Sequence, residues 1–111
     1  MTPEDFELSA FLPYRLSVLA DRVSKRLSAE YGRSHGLNVA EWRTLVHLLR
    51  SDDVSVREIQ AAINYEKPRV SRAVSRLDEL GLVRKRQDKN DARLVSVSLT
   101  EAGRKALAEI L

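Results

Sequence analysis

A change of period in the hydrophobic pattern constrains this chain more than any other feature. Up to Leu80 the apolar residues recur at spacings of three and four, the repeat of one helix face. After Gly81 they alternate with polar residues, the repeat of a half-buried strand. A chain of 111 residues has room for one domain. The pattern predicts a mainly α fold with a small β-hairpin near its end.

Punctuation residues divide the helical part. Residues 5–33 read as a first helix, with Leu12, Leu16, Leu19, Val23 and Leu27 in one stripe. Pro13 either kinks it or opens the main helix after a short lead-in turn. Asn38, with Glu41 three residues on, forms a capping box for a second helix over residues 39–50, whose stripe is Trp42, Leu45, Val46 and Leu49. Ser55 and Glu58 repeat the signal for a short third helix over 56–63, with Ile59, Ala62 and Ile63 inward. Asn64, Tyr65 and Glu66 make a turn. Pro68 suits the first turn of a fourth helix, and Gly81 supplies its left-handed end. Strands over 82–87 and 94–99 flank the turn-forming run Asp88-Lys89-Asn90-Asp91, and Thr100 caps a last helix.

Composition excludes several classes of function. With no cysteine there is no disulfide framework, thiolate metal site or thiol switch. His35 and His47 match no metal template. Gly-rich phosphate loops, nucleophile elbows and paired-carboxylate sites are missing, so neither an enzyme nor a cofactor is expected. No apolar run approaches the roughly 18 residues that span a bilayer, and the acidic start lacks a secretory signal. A cytoplasmic, membrane-free protein is the expectation.

Charge points to a partner. Between Lys67 and Arg93 there are nine basic and four acidic residues, a net +5 in a chain of net +3, so the remainder is acidic. A short helix, a turn and a second helix form a helix-turn-helix, whose second helix enters a DNA major groove by its N-terminal residues. On a helical wheel Val70, Ala73, Val74, Leu77 and Leu80 share the core face. Lys67, Pro68, Arg69, Ser71, Arg72, Ser75 and Arg76 are the candidate base-reading and phosphate-binding set. Asp78 and Glu79 fall in the last turn, the reverse of what the helix dipole favours. The hairpin forms a wing. Its candidate DNA contacts are Arg84, Lys85, Arg86, Lys89, Asn90, Asp91 and Arg93; Asp91, two residues before Arg93, either orients that guanidinium toward a minor groove or simply pairs with it to stabilise the turn.

Trp42-Arg43-Thr44-Leu45, Ser55-Val56-Arg57-Glu58-Ile59 and Val70-Ser71-Arg72-Ala73-Val74 stand in order along the chain. Leu77-Asp78-Glu79-Leu80-Gly81-Leu82-Val83, Asp91-Ala92-Arg93 and Leu99-Thr100-Glu101-Ala102-Gly103 follow. In these blocks the chain resembles the MarR (multiple-antibiotic-resistance regulator) family over about residues 37–108. The resemblance implies a winged helix-turn-helix regulator, a homodimer on palindromic double-stranded DNA. It places the recognition-helix serine and arginine on Ser71 and Arg72 and the wing arginine on Arg93. It implies dimerisation helices over 1–36 and 100–111 around a DNA-binding lobe over 37–99. Family members carry further helix beyond the position of Leu111, so the last helix is expected to be cut within the interface. A small aromatic or phenolic effector between dimer and lobe is also implied, with Phe11, Tyr14, Trp42 and Tyr65 as candidate lining; packing in a helical core is the competing reading of these four. The alternative function is a winged helix serving as a protein-interaction module. Such modules often lose the cationic face that this fourth helix keeps.

Overall fold

The computed structural model describes residues 2–51, 53–87, 89–91 and 95–111. Two short 3₁₀ turns, Pro3–Asp5 and Leu8–Ala10, precede helix α1, Leu12–His35. Pro13 therefore opens the long helix rather than kinking it, since its missing N–H costs nothing in a first turn. α2 spans Val39–Leu48, α3 Val56–Ile63, α4 Lys67–Glu79 and α5 Glu101–Ile110. Strands β1 (Val54–Ser55), β2 (Val83–Gln87) and β3 (Val95–Leu99) form an antiparallel sheet in the order β1-β3-β2. The hairpin pairs Val83 with Leu99, Lys85 with Val97 and Gln87 with Val95, and β1 adds Val54 opposite Val97 on the other edge.

Local chemistry accounts for the boundaries. The amide of Glu41 donates to Asn38 Oδ1 at 2.9 Å and that of Asn38 to Glu41 Oε1 at 2.8 Å, closing the capping box. The Glu58 amide donates to Ser55 Oγ at 3.0 Å, and the Gly103 amide to Thr100 Oγ1 at 3.0 Å. Asn64 (φ 57°) ends α3 in the left-handed region, and Gly81 (φ 77°) turns the chain after α4. Gly103 is required by proximity. A Cβ there would stand 2.1 Å from the Leu82 carbonyl oxygen and 2.7 Å from Leu99 Cδ1, so α5 packs against the start of the wing through bare backbone.

One core serves the lobe. It gathers Leu37, Trp42, Leu45 and Leu48 with Val54, Ile59 and Ile63, then Val70, Val74, Leu77, Val83, Val97 and Leu107. Ala62, Val46 and Leu80, placed inward by periodicity, lie exposed instead. Ala40, Glu41 and Thr44 take buried positions on α2.

The long helix behaves differently. Tyr31 is the buried residue of α1; Leu12, Leu16, Leu19, Val23 and Leu27 are exposed along its length, as are Phe6, Leu8 and Phe11 before it. The predicted stripe exists, but the lobe leaves it exposed. The radius of gyration is 17.5 Å and the longest extent 60 Å, against about 13 Å for a compact chain of this length. His35, at the root of the helix, meets Glu109 of α5 at 2.9 Å. Among the described residues no helix is long and apolar enough to cross a membrane.

Candidate nucleic-acid interface

α4 is positioned from behind. Val70, Ala73, Val74 and Leu77 are buried against the lobe, which turns Lys67, Pro68, Arg69 and Arg72 outward at the N-terminal end. Ser71 and Ser75 are half-buried at the margin. With Arg72, Arg76 and Glu79 they line a shallow depression of 320 Å³ on the outer face. The first turn carries no acid and its N-cap, Glu66, makes no side-chain cap. The helix start carries the partial positive end of the dipole, with Lys67 and Arg69 in its first turn adding to that charge and Glu66 at the N-cap as the nearby acid in sequence.

The wing root is braced onto α4. Lys85 donates through Nζ to Ser75 Oγ at 3.2 Å and through its backbone amide to Asp78 Oδ1 at 3.3 Å. Alternation along β2 puts Arg84 and Arg86 on the opposite face from Lys85. Lys89 and Asn90 are exposed near the tip, with Asp91 half-buried beside them. Arg93, and with it the expected pairing to Asp91, lies outside the described residues. Among the described residues Lys67, Arg72, Arg84, Arg86 and Lys89 have no acidic partner within ion-pair distance.

Arg76 is the exception in the recognition-helix set. Its Nη1 donates to Glu41 Oε1 at 2.5 Å and to the Gly36 carbonyl oxygen at 3.0 Å. Glu41 is 1% exposed. The guanidinium thus neutralises a carboxylate inside the lobe, and one of its nitrogens is committed before any ligand arrives. Periodicity could not reveal this, because a capping acid at this helix position is normally solvated.

The four aromatic effector candidates are not brought together. Phe11 packs edge-on against Phe6, with ring centroids 5.2 Å apart. Tyr14 lines a small depression with Ser9, Arg15, Val18, Leu19 and Arg22. Tyr65 sits in the turn between α3 and α4, beneath Arg43 and Arg69. Trp42 alone lines the larger groove, of 470 Å³, between α1 and α2. Its other walls include Leu16, Leu19, Val23, Leu27, Val39, Arg43 and Tyr31. Tyr31 stacks on Trp42 at 5.1 Å, and its buried hydroxyl has no hydrogen-bond partner among the described residues. Burial raises its pKa above 10.0, and nearby Arg43 opposes that shift. The sequence carries a signal for Tyr31: it continues the stripe four residues past Leu27.

A helix-turn-helix with a braced hairpin beside its second helix defines a winged helix-turn-helix protein. The family model for the MarR family matches residues 35–94; the chain belongs to that family. It is 28% identical to the transcriptional repressor MprA of Escherichia coli strain K12, over 97% of this chain and 62% of that protein. A MarR-family transcriptional regulator from Silicibacter pomeroyi superposes with a TM-score of 0.83 at 26% identity, covering 99% of this chain and 73% of that one. CouR from Rhodococcus jostii RHA1, solved with p-coumaroyl-CoA bound, gives a TM-score of 0.81 at 25% identity, covering 94% and 73%. The chain spans 52% to 62% of the length of the curated relatives it matches.

Proposed function

We propose that the chain is a transcription regulator, not an enzyme, that binds a palindromic operator as a homodimer and represses, in the cytoplasm, with release controlled by a small apolar effector. One observation carries the DNA reading. The exposed start of α4 presents Lys67, Arg69 and Arg72 without acidic partners among the described residues, next to a wing bearing Arg84, Arg86 and Lys89. Such a face is matched to a groove with phosphates on both sides. Ser71 and Arg72 stand where α4 would meet base edges; the wing residues stand where they would meet backbone, and Arg93 is assigned to the minor groove by resemblance.

The exposed stripe of α1 supports the homodimer. Large apolar side chains in a row need cover, and a second copy has the same stripe to offer. The groove between α1 and α2 supports the effector, since its walls are mostly apolar with Arg43 as a cation and Ser24 and Tyr31 as polar groups.

A salt titration of two variants tests the DNA reading. Arg72→Ala should cost about 1–3 kcal/mol on a selected duplex and relax its sequence preference. Lys89→Ala should weaken all duplexes alike and lower the salt slope by about one. Equal loss on selected and random DNA for Arg72→Ala would refute the base-reading role.

A further inference from the structure

We infer that Tyr65 is a positioning residue for DNA binding, a flat platform that holds the Arg69 guanidinium in the orientation it needs; this rests on the operator-binding reading above. Arg69 lies in the first turn of α4, exposed at the edge of the face that would enter the groove. Its guanidinium carbon is 3.9 Å from the centre of the Tyr65 ring. A carbon that close leaves room for the two faces to stack and none for an N–H inserted between them. Stacking uses the face of the guanidinium and leaves its N–H donors, which lie in the plane, directed outward. Those donors have no hydrogen-bond or ion-pair partner among the described residues.

The platform is itself fixed. Tyr65 is half-buried and packs against the lobe core. Asn64 before it is held left-handed, which sets the direction from which the ring leaves the turn. Arg43 from α2 lies over the same ring at 5.1 Å. A free arginine side chain samples many rotamers and must lose them on binding. One stacked beforehand has already lost most of them, so its contact with DNA is formed at lower entropic cost.

A double-mutant cycle on duplex binding tests this. The probes are the duplex that the wild-type chain enriches from a randomised 20-base-pair pool and a random-sequence duplex of equal length. Tyr65→Leu keeps apolar bulk and removes the ring face; it should weaken binding to the enriched duplex about fivefold to tenfold. In an Arg69→Ala background the same change should cost less than twofold. Tyr65→Phe keeps the face and should restore binding to within about twofold of wild type. The Arg69 side-chain protons of the free protein should be shifted upfield by the ring in wild type and Tyr65→Phe, and lose that shift in Tyr65→Leu. A purely structural role would make Tyr65→Leu equally harmful with or without Arg69; that result, or a Phe variant as weak as Leu, overturns the inference alone. A wild-type chain that binds no duplex at any salt concentration overturns the operator reading and this one with it.

Discussion

Replacing Arg76 by Met removes a charge that a buried carboxylate depends on, and keeps most of the side-chain stem. Glu41 Oε1 accepts from Arg76 Nη1 and from the Asn38 amide, and the Glu41 side chain is 1% exposed. Breaking a fully buried ion pair costs about 3–5 kcal/mol. Two features lower that figure here. The carboxylate keeps its bond from Asn38, and Arg76 is 45% exposed, so water can follow the guanidinium out. The loss of one hydrogen bond between charged groups, about 1.5–3 kcal/mol, sets the remaining scale. We expect a destabilisation of about 2–3 kcal/mol, which for a domain of this size is a fall in Tm of about 10 °C. Urea denaturation should show a lower midpoint with an unchanged m-value. Adding Glu41→Gln removes the buried charge while keeping an oxygen for the Asn38 amide, and should recover about 1 kcal/mol. If Arg76→Met cost less than about 0.5 kcal/mol, or if Glu41→Gln made it worse, the guanidinium would not be sustaining a buried charge and the argument would fail.

Three other outcomes follow from the same structure. Gly103→Ala should destabilise by about 2–3 kcal/mol although alanine is the better helix former by about 1 kcal/mol, because the new Cβ would overlap the Leu82 carbonyl; an unchanged thermal midpoint would mean that α5 can slide away at no cost. Tyr31 has a pKa raised by burial above 10.0, so its native state binds a proton more tightly than the unfolded chain does. Stability from this group is full below pH 10 and falls as pH rises through the raised pKa; Tyr31→Phe should flatten the alkaline limb of a stability profile, and identical limbs would contradict it. A Leu19→Asp and Val23→Asp double variant places two charges in the exposed stripe of α1 and should shift sedimentation toward monomer without lowering the lobe's helix content; an unchanged dimer would put the interface elsewhere.

What could be read in advance follows from how local the cause is. Asn38 with Glu41, Ser55 with Glu58, and Thr100 act within one helical turn, so three helix starts were legible. Gly81 was legible because a left-handed residue is needed between helix and strand. β1 was not. Val54 and Ser55 are only two residues, Ser55 is also the cap of α3, and their partners are Val97 and Ser96, far along the chain. The stripe of α1 was legible as a stripe, but periodicity says nothing about what covers it, and the lobe does not. The exposed face of α4 was legible from charge and spacing. The withdrawal of one nitrogen of Arg76 into the lobe and the stacking of Arg69 on Tyr65 were not, because each depends on where neighbouring elements pack.

The same guanidinium also stands at the junction that would set the spacing between two lobes. α1 is rooted in the lobe at Tyr31, which stacks on Trp42, and it ends at Gly36, whose carbonyl accepts from Arg76. Glu41 at the start of α2 accepts from the same nitrogen. The exit of α1, the start of α2 and the body of α4 thus meet at Arg76. From Tyr31 back to Leu12 the exposed arm is about 28 Å long at 1.5 Å per residue, so a tilt of about 5° at the root moves its far end by roughly 2.5 Å. In a dimer joined along that arm, a displacement of that order between the two lobes is a large fraction of the rise of one base pair, about 3.4 Å. Half-sites one turn apart tolerate little such error. Arg76→Met is therefore expected to weaken binding to a two-fold site at least tenfold while a single half-site, at high protein concentration, loses far less. Equal loss on both probes would instead mean that the uncommitted nitrogens of Arg76 contact the DNA directly, and would return this residue to the base-reading and phosphate-binding set in which its sequence position first placed it.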